Sequence, residues 1–211
     1  MSFYLKGITN SQTIIQTLSL GLTGYSFDLR PKSFNFVQAK KIKEMLKVDS
    51  NSQYTLIFEN EKDFMVNELY KQITQDEMAS VLIEFTGVTG LNDLDSIGKN
   101  FVWHYHHDEK FMMIERVEHL KRIVFNHKDL EFFQEKGELF GFLNLFQDLK
   151  KQGIEFEILL DWDTALIESM FDYFDFDAIS LEINNKVEIS YQIPDIPLIT
   201  NHLLQLKNLF K

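Results

Sequence analysis

His104, His106 and His107 stand in Trp103-His104-Tyr105-His106-His107-Asp108-Glu109, the densest group of potential metal ligands in the 211 residues. On a strand, side chains two apart point the same way, so His104 and His106 can face one ion, with Asp161 or Glu84 as a third ligand. The spacing matches no zinc signature, and histidines satisfied by neighbouring carboxylates are the more economical reading. Lys6 offers a second chemistry. A lysine serves as a general base when burial lowers its pKa, although the many carboxylates around it would push the other way. Asp161 is the acid to test with it.

These residues need elements to position them. Short apolar runs alternate with amphipathic segments eight times along the chain. The runs are Phe3–Ile8, Leu22–Phe27, Tyr54–Phe58, Ala79–Phe85, Phe101–Tyr105, Lys121–Asn126, Phe156–Asp161 and Asp177–Ile183. Between them lie helical patterns over Ser11–Leu20, Gln38–Leu46, Lys62–Ile73, Leu91–Ile97, Glu109–His119, Glu138–Lys151 and Thr164–Tyr173, with Ile196–Phe210 at the end. In the first helix Ile14, Ile15 and Leu18 share a side, Thr9 and Asn10 offer caps, and Gly21 stops it. Strands alternating with helices predict a parallel sheet, and eight such units predict a closed (β/α)8 barrel as one domain over residues 1–211. A doubly wound open sheet is the competing architecture. Lys186–Gln192 alternates and fits either a ninth short strand or an ordered loop over the barrel mouth.

The wording of the first unit narrows this. Lys6-Gly7-Ile8-Thr9-Asn10, then Gly21, Gly24-Tyr25-Ser26-Phe27 and Pro31-Lys32-Ser33, resembles the start of phosphoribosylanthranilate isomerases. In that family the first strand ends K-x-C-G-I-T-N/R and the second runs G-F-x-F-x-P-K-S-x-R. The resemblance runs in order through the whole chain and implies a single α/β TIM barrel that performs an Amadori rearrangement in tryptophan biosynthesis. It also implies a cysteine base on the first strand, an aspartate acid at the end of the sixth, and phosphate held on glycine-rich loops after strands seven and eight.

At those positions this sequence differs. The cysteine falls on Lys6, the aspartate on Asn126, which cannot give or take that proton, and the basic residue after Pro-Lys-Ser near Asn35. The S-G-G of the seventh loop aligns with Asp161-Trp162-Asp163, where two carboxylates repel phosphate and Trp162 fills the space it would occupy. D-V-S-S-G-V-E aligns with Glu182-Ile183-Asn184-Asn185-Lys186-Val187-Glu188, which keeps the frame and loses the glycine. The G-G-x-G-K-x-F-D-W segment aligns with the stretch Glu131–Phe140, which retains one glycine. The expectation is a diverged barrel without the isomerase activity, kept for binding or interaction or given new rim chemistry. The isomerase reaction run by substitute residues is the alternative. Candidate catalytic residues are Lys6, Asn126 and Asp161, candidate ligand contacts Asn184, Asn185, Lys186, Trp162 and Glu182, and the weak metal pair His104 and His106. A rim of internal ion pairs, such as Lys6 with Glu182 or Asp28, explains the same residues without any activity, and Lys186 reads more simply as solvated than as an anion contact.

The composition sets the partners. A net charge of −11 with no long basic run argues against nucleic acid and anionic membranes. The start MSFYLKGITN carries no signal pattern and no apolar run reaches the roughly 18 residues of a spanning helix, so a cytoplasmic protein is expected. The absence of cysteine fits a reducing compartment and removes thiolate catalysis and cysteine metal sites. No cofactor is expected, and a small molecule at the barrel mouth is the expected partner. The 20 Phe read as packing between barrel and helices.

Overall fold

The computed structural model describes residues 1–75, 80–87, 91–105, 117–163, 171 and 174–209. Eight parallel strands form a closed barrel in sequence order: β1 (Ser2–Lys6), β2 (Gly24–Asp28), β3 (Gln53–Phe58), β4 (Ser80–Phe85), β5 (Phe101–His104), β6 (Leu120–Asn126), β7 (Glu155–Leu160) and β8 (Ala178–Glu182). Closure comes from β1 lying beside β8 in register, from Ser2 opposite Ala178 to Lys6 opposite Glu182. The strand termini therefore bring Lys6, Asn126 and Glu182 to one end of the barrel, with Asp161 one residue past β7.

Period-two alternation splits each strand. Outward positions are apolar and carry the core: Phe3 and Leu5, Tyr25 and Phe27, Ile123 and Phe125, Phe156 and Ile158, Ile179 and Leu181 are all buried. Helices α1 (Ser11–Thr17), α2 (Ala39–Met45), α3 (Asp63–Thr74), α4 (Leu91–Asp95), α5 (His127–Lys136), α6 (Leu139–Lys151) and α7 (Ile196–Leu209) connect or follow these strands. Aromatic contacts seal the shell, with Phe125 stacked on Phe156 at 5.7 Å and Phe156 on Phe146 of α6 at 3.8 Å. Eleven of the phenylalanines are buried in such packing, whereas Phe34, Phe36, Phe64 and Phe140 are exposed. Among the described residues no helix is long and apolar enough to cross a membrane.

The structure refines three local readings. In α1 the buried residues are Thr13, Ile14 and Thr17, whereas Ile15 and Leu18 are exposed, and the buried Thr17 hydroxyl is satisfied by donating back to the Thr13 carbonyl at 2.8 Å. The stretch after β6 is not a glycine-rich loop. It is α5, opened by a capping box in which Asn126 accepts from the Lys128 backbone and Asp129 accepts from the Asn126 backbone, and closed by Gly137 at φ 71°. With no internal Gly or Pro, and with Leu130 and Phe133 to bury, that stretch has every reason to be helical. Lys186–Gln192 resolves into a one-turn helix (Asn185–Val187) and β9 (Glu188–Ser190), which pairs antiparallel with β10 (Ile193–Pro194) outside the barrel. Most of the helices expected over Glu109–His119 and Thr164–Tyr173 lies outside the described residues.

Candidate active site and barrel lumen

The inward positions of the strands mix small, polar and apolar residues with buried charges: Lys6, Asp28, Glu84, Arg122 and Glu157. Lys6, only 2% exposed, projects from the end of β1 across the lumen and bonds Glu84 of β4 at 2.5 Å and Glu157 of β7 at 2.8 Å. The pairing expected with Glu182 or Asp28 is replaced by this one, because the lumen is narrow enough for a lysine on β1 to reach β4 and β7 directly. Below it, towards the start of the strands, Arg122 of β6 bonds Glu157 at 3.0 Å, Glu155 at 2.9 Å, the Tyr4 hydroxyl at 2.7 Å and Gln53 at 3.0 Å. His104 Nε2 lies 2.5 Å from Glu84 on the mouth side. A continuous ionic column, Glu155–Arg122–Glu157–Lys6–Glu84–His104, therefore fills the lumen.

This column sets the protonation states. Burial alone would push the Lys6 ammonium down, but Glu157 and Glu84 outweigh it and raise its pKa above the ordinary lysine value. Burial would likewise raise the carboxyls, yet Lys6 and His104 hold Glu84 far below the usual carboxylate range, and Lys6 and Arg122 hold Glu157 below it. A lysine kept protonated in this way is a poor general base.

At the mouth, Arg30 is forked onto Asp28 (Nε to Oδ1 2.9 Å, Nη2 to Oδ2 2.5 Å), donates to Thr86 at 3.1 Å, and lies 3.8 Å from Glu182. Asn35 is buried and donates to the Ile183 carbonyl at 2.7 Å, tying the loop after β2 to the end of β8. It fits there because Gly7, at φ 79°, has no Cβ; one would fall 2.4 Å from the Asn35 amide nitrogen.

The seventh and eighth loops are clasped together. Lys186 Nζ bonds Asp161 at 2.8 Å and Asp163 at 2.6 Å, so this lysine is paired twice rather than freely solvated. Its hydrogen bond holds the Asp161 carboxyl below the usual range. Trp162 is buried, donates its indole N–H to the Glu182 carbonyl at 2.6 Å, and packs on His202 of α7 at 5.3 Å. Asn184 accepts from the Lys186 backbone at 3.0 Å, and Asn185 opens the one-turn helix. A cavity of about 140 Å³ remains beside the clasp, lined by Asn126, His127, Lys128, Leu159, Leu160, Asp161, Glu182 and Asn184. Five of the sequence candidates therefore meet around one hollow or its clasp: Asn126, Asp161, Glu182, Asn184 and Lys186. Lys6 is not on the solvated rim with them. His106 lies outside the described residues, and among those described no group of three His, Asp or Glu side chains is placed to hold a metal.

Known structures share this architecture across the whole chain. A phosphoribosylanthranilate isomerase from Thermus thermophilus superposes with a TM-score of 0.71 at 11% identity, covering 99% of this chain and 100% of that one. The isomerase from Thermotoga maritima gives 0.72 at 12%, covering 99% of each. The fold is that of the phosphoribosylanthranilate isomerases. A putative dihydrodipicolinate synthetase from Pseudomonas aeruginosa also matches, at 0.61 and 8%, with 99% of this chain on 80% of that one, so the likeness to the isomerases is one of architecture. No family model and no curated protein sequence matches this chain.

Sequence reasoning missed Arg122, Glu157 and Arg30 as members of the mouth and lumen. The signal was present: Arg122 and Glu157 interrupt the apolar runs KRIVFN and FEILLD at alternate positions, and a charge inside an apolar strand requires a buried partner.

Proposed function

We propose that this chain is an isomerase-type barrel that does not perform the phosphoribosylanthranilate rearrangement and binds a small molecule at its mouth. One observation carries the reading: the group at the base position, Lys6, is locked between Glu84 and Glu157 with its proton retained. Two further features support it. Asn126 is spent on capping α5, and Lys186, the nearest candidate for a substrate phosphate, is neutralised by Asp161 and Asp163. A general acid and a general base each contribute roughly 100-fold to 10,000-fold, so their loss removes on the order of 5 kcal/mol or more of barrier lowering.

The test is growth without tryptophan of a strain lacking phosphoribosylanthranilate isomerase. The expected result is no rescue by this chain, and none by the double change Lys6→Cys with Asn126→Asp. Growth with the unmodified chain would overturn the reading and favour catalysis by substitute residues. The observation that favours that second reading is the contrast between Asp161, held ionised by Lys186, and Glu182, whose pKa burial raises despite Arg30.

A further inference from the structure

The cavity beside the clasp has an unusual charge balance. Two walls carry carboxylates, Asp161 from the seventh loop and Glu182 from the end of β8. The cations that approach them already have partners. Lys186 is shared between Asp161 and Asp163, and Arg30 is forked onto Asp28, leaving Glu182 at 3.8 Å. Lys128 lines the hollow from an exposed position in the first turn of α5. The ring nitrogen Nδ1 of His127, another lining residue, is buried with no hydrogen-bond partner among the described residues. A half-buried carboxylate short of a counter-ion, and an unmatched buried nitrogen on the same hollow, both call for an occupant. Asp161 is already paired with Lys186, whereas Glu182 has its nearest cation, Arg30, at 3.8 Å, so the charge left to match in the hollow is negative and the occupant it favours is positive.

We infer that this cavity binds a small organic cation, an amine or guanidinium of few heavy atoms, with Glu182 as its counter-ion and Asp161 on the opposite wall. This rests on the reading that the mouth is a binding site, and it adds the class of ligand. The apolar floor of Leu159 and Leu160 takes the carbon end of such a molecule. Glu182 gives the site a pH dependence. Burial raises its carboxyl above the ordinary glutamate value against the pull of Arg30, Lys6 and His104, so a cationic ligand competes with a proton there and binds more weakly as the pH falls.

Methylguanidinium chloride is a suitable probe, and the indole N–H signals of Trp103 and Trp162 are the readout, since the Trp162 indole bonds the Glu182 backbone carbonyl. The Trp162 signal should move along a saturable curve with a Kd of roughly millimolar order, as suits so small a ligand. The curve should weaken from pH 7 to pH 5 and be lost in Glu182→Gln. Lys128→Ala, which removes the exposed cation, should bind at least as tightly and guards against a variant that fails to fold. No saturable shift with the unmodified chain, the same curve in Glu182→Gln, or weaker binding in Lys128→Ala would overturn the inference. A shift driven by sodium phosphate instead would also overturn it and mark an anion site. Growth rescue without tryptophan would sink the earlier reading and leave this titration unchanged.

Discussion

The lumen and the outer shell of this barrel are built from alternate residues of the same eight strands, yet they are held by opposite physics. Outside, Phe125, Phe156 and Ile158 face the helices through dispersion and apolar burial, and each contact contributes on its own. Inside, Lys6, Arg122, Glu84 and Glu157 form one coupled column in which every charge depends on its neighbours. Deleting a shell atom costs a graded amount, whereas deleting a lumen charge strands its partners in low dielectric. The difference shows how a lysine at the end of β1 is held as part of the lumen's packing.

Removing that lysine should have the largest effect. Lys6→Met should lower stability by about 3–5 kcal/mol at pH 7 in urea unfolding, because Glu84 keeps only His104 and Glu157 only Arg122. The pH profile sharpens this. Glu84 and Glu157 have folded pKa values below the ordinary 4.5, so the stability they contribute is full above about pH 4.5 and lost as the pH falls through the folded values. In Lys6→Met both values rise, so the loss as the pH falls below about 4.5 should shrink; an equal loss in both proteins would contradict the coupling. Ile158→Val, in the shell, should cost about 1 kcal/mol and leave the pH profile parallel to that of the unmodified chain. Lys186→Ala should leave the urea midpoint unchanged, since its ion pairs with Asp161 and Asp163 are exposed, and a large drop would show that the clasp holds the two loops down.

The barrel was legible in the sequence because its signals are local and repeated. Apolar runs of five to seven residues recur between helical patterns, and Asn10 and Gly21 mark the cap and the stop that the structure places where they were read. The mouth was legible only as a roster of strand ends. Asn126, Asp161 and Glu182 could be placed there by counting, but the partner of Lys6 could not, since Glu84 and Glu157 are 78 and 151 positions away. The helix α5 went unread because an aligned glycine-rich segment outweighed its own capping box and helix-forming composition. The clasp of Lys186 depends on two loops brought together by the closure of β7 on β8, which no local pattern reports.

The most direct measurement of the central claim is the ionisation of Lys6 itself, followed by NMR with lysine side chains labelled at Cε and Nζ. A structural cation predicts that the Lys6 signal stays at its protonated position past pH 10.5, where the exposed lysines have begun to titrate. It also predicts that the signal is insensitive to ligands at the mouth. A Lys6 signal that titrates between pH 6 and pH 8 would contradict this, and would return the lysine to the role of a base.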